Sequence, residues 1–244
     1  MILYTTNEMP LMNVPWETNE SVDCVGFNGP NLITDVEALK VDVEIFDIDS
    51  SCELTSNYKS DLFRWWVLAN HNGFYIDMDF IFVKPLDRLI DRVAEYDVAI
   101  CWTGDYWSIG FLGSNCECSL FNDLFVCSDE QNDELNYQSF GVNLLDKLCR
   151  NHGCVNTIDT LERLYSDCSV YNLDVDLFYP YRWNQTRLLF EDRTSLSLDE
   201  DTVAVHWFGG TQAAQACIKS INEYNYRNWN DFVIGQLIDL VLNN

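Results

Sequence analysis

The stretch from Lys59 to Leu86 constrains this chain most, because it specifies an ordered run of elements around an acidic pair. Between Lys59 and Asn70 the apolar residues Leu62, Trp65, Trp66 and Ala69 recur at helical spacing, so one face of a helix is committed to a core. Asn72-Gly73 then supplies a residue tolerant of the left-handed conformation that commonly ends a helix. Phe74-Tyr75-Ile76 is a short aromatic and β-branched run, Phe80–Val83 is another, and Pro85 closes it. Asp77-Met78-Asp79 sits between the two predicted strands.

The same alternation runs through the rest of the chain. Ile2–Thr5, Val43–Phe46, Val98–Trp102 and Val203–Trp207 read as strands. Asp35–Lys40, Asn143–Cys149 and a segment through Tyr165, with Asp159 and Glu162 as its capping box, read as helices. Trp229, Phe232, Val233, Leu237, Leu240 and Val241 mark a long amphipathic C-terminal helix. Its polar face carries Asp231 and Asp239 and no Lys or Arg, which suits packing on the domain rather than docking on a membrane. Strands alternating with helices point to an α/β fold.

The 244 residues suit one large domain, and no apolar stretch approaches the roughly 20 residues of a membrane span. The opening MILYTTNEMP has neither the basic nor the apolar region of a secretory signal, so a cytoplasmic location is expected. The ten cysteines make no paired CxxC clusters, and reduced thiols filling the core are expected. A net charge of −25 disfavours, without excluding, a nucleic-acid acceptor, which needs clustered Lys and Arg. The same field would repel a diphosphate, so a site for one requires a local cation.

Three Asp-X-Asp triplets occur, at Asp47/Asp49, Asp77/Asp79 and Asp174/Asp176, and in so acidic a chain the bare triplet carries little information. Only the middle one follows an apolar strand and a helix on which Asp61 and Arg64 lie three residues apart, hence on one face. Two carboxylates at a strand end can hold Mn²⁺ or Mg²⁺, with water and diphosphate oxygens completing the shell. Arg64 would add a fixed cation near sugar or phosphate. Spacing alone leaves an equal alternative, a surface Asp61–Arg64 ion pair beside solvated turn aspartates.

The segment SDLFRWWVLANHNGFYIDMDFIFVKPLD resembles the sugar-binding region of the DXD-containing glycosyltransferases of family 32. That region is shared by α-mannosyltransferases, α-1,4-N-acetylglucosaminyl and galactosyl transferases and clostridial glucosylating toxins. Ser60, Asp61, Arg64, Gly73, Tyr75, Asp77, Asp79, Lys84, Pro85 and Leu86 fit the pattern in order, with Asn72 in place of the first glycine. The resemblance implies a single GT-A-type domain over residues 1–244, with a central mixed, mostly parallel sheet flanked by helices. Within it, a donor-binding core would occupy about 1–102 and acceptor-side and C-terminal elements about 103–244.

For activity, it implies a nucleotide-sugar donor, expected to be a UDP-sugar, a divalent metal, and transfer with retention. Asp61 and Arg64 become donor contacts, Tyr75 a cofactor-side residue, and Asp77 and Asp79 the metal–diphosphate motif. The late AVHWFGG resembles the family's His-Trp element and would bring His206, as a metal ligand, and Trp207 to the same site. Trp102, Trp107 and Phe111, in the block from Thr103 to Cys118 and at its edge, are candidates for acceptor contact.

The acceptor expected is a glycan or lipid-linked saccharide, with protein or nucleic acid as alternatives. A non-catalytic sugar-binding protein of the same fold is a further alternative. A haloacid-dehalogenase-type phosphohydrolase is least favoured, because Phe80-Ile81-Phe82 continues as apolar chain where that family turns. Asp79→Asn is expected to abolish donor hydrolysis while leaving the melting temperature unchanged or raised, through relief of carboxylate repulsion.

Overall fold

The computed structural model describes residues 2–5, 42–45, 56–115, 118–129, 136, 138–153, 157–221 and 224–243. Strand β1 (Ile2–Thr5) pairs in parallel with β2 (Asp42–Ile45). The helix expected at Asp35–Lys40 lies outside the described residues. Helix α1 (Ser56–Asn70) is followed by β3 (Gly73–Ile76), β4 (Phe80–Phe82), α2 (Asp87–Val93), β5 (Val98–Trp102) and β6 (Trp107–Ser114). Helices α3 (Leu120–Asp129), α4 (Val142–Asn151) and α5 (Ile158–Leu164) precede β7 (Val170–Asn172). The remainder comprises α6 (Val175–Phe178), α7 (Thr186–Phe190), β8 (Ala204–His206), α8 (Gln212–Cys217) and α9 (Val233–Leu242).

The four-stranded sheet, of order β3-β6-β5-β7, is mixed, and two two-stranded sheets are formed by β4-β8 and by β1-β2. Parallel pairing is confined to β1–β2 and β5–β7 among the described residues; β3–β6, β5–β6 and β4–β8 are antiparallel. The expectation of mostly parallel pairing is thus corrected. Its physical reason is the tight turn between Trp102 and Trp107, which can join β5 to β6 only as an antiparallel hairpin.

Strand β5 is buried along nearly its whole length because helices cover both its faces. Val98 and Ile100 pack with Trp65 and Leu68 of α1, Phe121 of α3 and Leu144 of α4. Ala99 and Cys101 face Leu89 and Val93 of α2 and Phe178 of α6. A separate core joins Val205 and Trp207 to Phe190 and to Val233, Ile234, Leu237 and Ile238 of α9.

Some local expectations shift. Gly73, at φ +140, opens β3 rather than ending α1, and the need is conformational, since no atom lies within 4 Å of where its Cβ would be. The cap of α5 is Thr157, whose hydroxyl accepts from the Thr160 amide at 3.3 Å; Asp159 sits one turn position further in. The C-terminal helix begins only at Val233, because Trp229 belongs to a preceding 3₁₀ turn (Tyr226–Trp229). A Cβ on Gly235 would overlap the Trp229 carbonyl, so glycine there lets α9 close onto that turn.

Cys118 and Cys168 form a disulfide, Cα atoms 5.4 Å apart, where reduced thiols were expected; Cys101 and Cys149 are buried as apolar residues. Disulfides persist in oxidising compartments, so this pair and the expected cytoplasmic location pull in opposite directions. No helix among the described residues is long and apolar enough to cross a membrane.

Candidate active site

The site is assembled from α1, the β3–β4 turn, a bend in β6 and the end of β8. Asp61 and Arg64, one helical turn apart on the buried face of α1, meet at 3.0 Å. Arg64 also reaches Asp77 Oδ1 at 3.3 Å and donates to the Ile109 carbonyl at 2.6 Å. Its guanidinium lies over the Tyr75 ring, 4.7 Å from the centroid. The Tyr75 hydroxyl donates to Asp77 Oδ1 at 2.7 Å and is 3.0 Å from the Ser60 hydroxyl. The bland alternative of a surface ion pair is excluded by burial, with Asp61 6% and Arg64 5% exposed.

Strand β6 makes room for this. Between the Ala99↔Gly113 and Cys101↔Ser108 pairs the chain takes five steps along β6 against two along β5. The surplus residues swing toward β3, where the Asp77 amide donates to the Gly110 carbonyl at 2.7 Å. Gly110 leaves room for the carboxylate there, because a Cβ would stand 2.8 Å from Asp77 Oδ2 and force it to shift.

Two residues later the Asp79 carbonyl accepts from the Trp207 amide at 2.9 Å, and Asp79 Oδ2 from the Gly209 amide at 2.7 Å. Antiparallel register sets Phe80 opposite His206, their rings 4.5 Å apart. His206 Nε2 then stands 2.8 Å from Asp79 Oδ1 and 3.9 Å from Asp77 Oδ2. One ligand atom from each of Asp77, Asp79 and His206 lies within 4.8 Å of the others, a group that could hold a divalent cation.

Asp61, Arg64, Tyr75, Asp77, Asp79 and His206 therefore converge, although His206 is distant in sequence. Trp207 does not join them through its side chain. Successive residues of a strand face opposite ways, so with His206 turned to the acidic pair the indole goes into the C-terminal core, 8% exposed against Phe190. What Trp207 brings to the cluster is its backbone amide. Trp107 and Phe111 are likewise buried, at 2% and 0% exposure, which removes them as acceptor contacts; Trp102 is half-buried against Trp107.

Phe208 was not anticipated. It adopts φ +52, uncommon for an aromatic residue, and sets its ring 4.3 Å from that of His206 while turning the Gly209 amide toward Asp79. No local sequence signal marks it apart from the following Gly-Gly.

The electrostatics are lopsided. Three carboxylates face one guanidinium and one imidazole, an excess of acidic groups that a divalent cation would offset. Burial pushes the Asp77 carboxyl above its ordinary range; Arg64 opposes this and Asp79 adds to it. Burial also acts upward on Asp79, but His206 and the Gly209 amide outweigh it and hold that carboxyl below the ordinary range.

Asp61 is pushed up to about 6, first by burial, with Arg64 opposing and Asp77 reinforcing. A carboxyl raised in this way contributes stability that is complete below its unfolded value near 4 and lost as pH rises through about 6. Relative to the native protein, Asp61→Asn should therefore gain up to about 3 kcal/mol between about pH 4 and pH 7.5. Urea unfolding at both values, with EDTA present, checks this. A pH-independent difference would count against a buried, desolvated Asp61.

Among the described residues, the buried side-chain nitrogens and oxygens without a hydrogen-bond partner are Arg64 Nε, His206 Nδ1 and His206 Nε2. His206 Nε2 is close to Asp79 but not in hydrogen-bond alignment with it. Buried groups left unsatisfied are rare, and these all belong to one site. The donor set of two carboxylates and an imidazole fits Mn²⁺ or Mg²⁺.

A search of curated proteins returns no match to the chain. The family described as a glycosyltransferase sugar-binding region containing a DXD motif matches residues 6–95, which take in α1, the acidic pair and both flanking strands. Residues 6–95 are thus similar to a DXD-type glycosyltransferase sugar-binding region, in an α/β fold whose mixed sheet and flanking helices are consistent with a GT-A-type domain.

Proposed function

We propose that this protein is a metal-dependent glycosyltransferase of the family 32 type. It moves a sugar from a nucleotide-sugar, a UDP-sugar in the first instance, to a glycan or lipid-linked saccharide with retention at the anomeric carbon. The carrying observation is the convergence of two carboxylates and an imidazole, with ligand atoms within 4.8 Å of one another, beside buried nitrogens that lack a hydrogen-bond partner. Residues 1–244 would act as one catalytic domain, with His206 returning from the C-terminal half to the donor side.

In this reading Asp77, Asp79 and His206 hold the cation, with Mn²⁺ favoured by the imidazole. When bound, it supplies Lewis-acid stabilisation of the departing nucleotide diphosphate. Arg64, kept protonated because Asp77, Tyr75 and Asp61 outweigh the effect of burial, offers its free Nε to the donor. Asp61 accepts from donor sugar hydroxyls. Tyr75 fixes Asp77 through its 2.7 Å hydrogen bond and so orients the pair.

The test is incubation of the purified protein with a panel of nucleotide sugars, with Mn²⁺ or with EDTA, followed by mass spectrometry. One donor should be cleaved to its nucleoside diphosphate and free sugar, and only with metal. A panel left intact by protein that binds Mn²⁺ would make this a sugar-binding relative without catalysis.

A further inference from the structure

Outside the acidic cluster the surface holds a cleft of about 180 Å³ lined by Thr103, Asp105, Tyr106, Arg182, Trp183 and Asn184. Both walls are turns held by their own hydrogen bonds. In the β5–β6 turn the Thr103 amide donates to the Tyr106 carbonyl at 3.0 Å, and the Thr103 hydroxyl accepts from the amides of Asp105 and Tyr106. In the opposite wall the Arg182 amide donates to Gln185 Oε1 at 2.9 Å, and its guanidinium donates to the Tyr179 carbonyl and to Asp176. The cleft is preformed.

Trp183 is 58% exposed, whereas Trp65, Trp107 and Trp207 are buried. An indole more than half exposed, in a cleft that also presents a hydroxyl, an amide and a carboxylate, suits a pyranose ring. The C–H face of the sugar covers the aromatic surface while its rim hydroxyls meet the polar groups. Charge narrows the choice. Arg182 is engaged by Asp176 at 2.7 Å and Asp105 adds a negative charge, so a phosphodiester chain finds no uncommitted cation in this wall. A neutral saccharide meets no such penalty.

The cleft is also tied to the acidic cluster. Tyr106 precedes Gly110 by four residues, a span of at most about 13 Å of chain, and Gly110 abuts Asp77. Tyr179, whose carbonyl holds Arg182, accepts the Phe111 amide on its hydroxyl at 3.1 Å and lies 5.5 Å from the His206 ring.

We propose that this cleft is the acceptor subsite and that it binds a neutral glycan, with Trp183 as the stacking platform. The acceptor role rests on the glycosyltransferase reading; saccharide binding by the cleft does not. The test titrates the full chain, without donor, with neutral di- to tetrasaccharides of glucose, galactose, mannose and N-acetylglucosamine, followed by saturation-transfer NMR and calorimetry. At least one should bind, Trp183→Ala should weaken it at least tenfold, and Trp183→Phe should retain most of the affinity. Mn²⁺ titration of the same Ala variant serves as the check that it is folded.

Saccharide binding that is lost in Trp183→Ala, from a protein that cleaves no nucleotide sugar, would keep the cleft and remove the transferase reading. A protein that cleaves a nucleotide sugar but binds none of these saccharides overturns the cleft proposal alone. Binding that is indifferent to Trp183, or binding of a peptide or oligonucleotide there instead, overturns it as well.

Discussion

Asp77→Asn and Asp79→Asn are expected to abolish Mn²⁺ binding alike and to move stability in opposite directions. Each removes one of three converging ligands, and loss of the cation's charge stabilisation should reduce donor turnover on the order of 10³-fold, equivalent to about 4 kcal/mol. Stability separates them. Asp77 is held above its ordinary range by burial, so its ionised form costs stability that grows as pH rises from the unfolded value through the raised folded one. Neutral asparagine removes that cost, and in EDTA near pH 7.5 the Asp77→Asn protein should melt higher than the native one.

Asp79 is held below its ordinary range by His206 and the Gly209 amide, so its charge contributes stability above the unfolded value that is lost as pH falls through the folded one. Asp79→Asn should therefore melt lower in EDTA, against the unchanged or raised melting temperature expected from carboxylate repulsion alone. Calorimetric Mn²⁺ titration and paired melts decide the matter. Mn²⁺ at about 100 times its dissociation constant should add about 2.7 kcal/mol to the native protein and nothing to either variant. Undiminished Mn²⁺ affinity in both variants would remove the metal role from this cluster.

The parts of the site legible in the sequence were those within a few residues of one another. Asp61 and Arg64 share a helix face by simple periodicity, and Asp77 and Asp79 bracket a turn between two short apolar runs. His206 required a long-range pairing, β4 with β8, and only its strand-then-glycine context and a family resemblance pointed to it. Trp207 shows the limit of that context, because a two-residue motif on a strand can present only one side chain to a given face.

Strand β6 escaped notice for a different reason. Trp107, Ile109 and Leu112 pack on one core and Phe111 on the other, and the surplus residues break the period of two. Buried on both sides, it shows neither alternation nor a strand-like polar face. Its aromatic residues therefore looked like a surface for acceptor. The turn just before it, Thr103 to Tyr106, is what the cleft uses.

That irregular strand is also the most sensitive place to probe the site without touching a ligand. Gly110→Ala should reduce Mn²⁺ affinity about as far as Asp77→Asn does. The backbone itself tolerates alanine, since Gly110 is not among the residues at positive φ. Space is the whole difficulty: the new Cβ would lie 2.8 Å from Asp77 Oδ2 and 3.2 Å from both the Tyr179 hydroxyl and the Phe80 ring. Asp77 cannot swing aside freely, because its other oxygen is held by Tyr75 at 2.7 Å and Arg64 at 3.3 Å.

Overpacking of this kind costs about 1–3 kcal/mol. Much of that cost should vanish in the Asp77→Ala background, where the clashing carboxylate is gone, so the two substitutions should be strongly non-additive. Gly113→Ala is the control: its Cβ would meet Phe74 at 3.0 Å and Ala99 at 3.1 Å, apolar side chains rather than a carboxylate. It should lower the melting temperature and leave Mn²⁺ affinity as it is. If Gly110→Ala and Gly113→Ala proved alike, both destabilised and both binding Mn²⁺ normally, then Asp77 would not be a ligand in the position that β6 gives it.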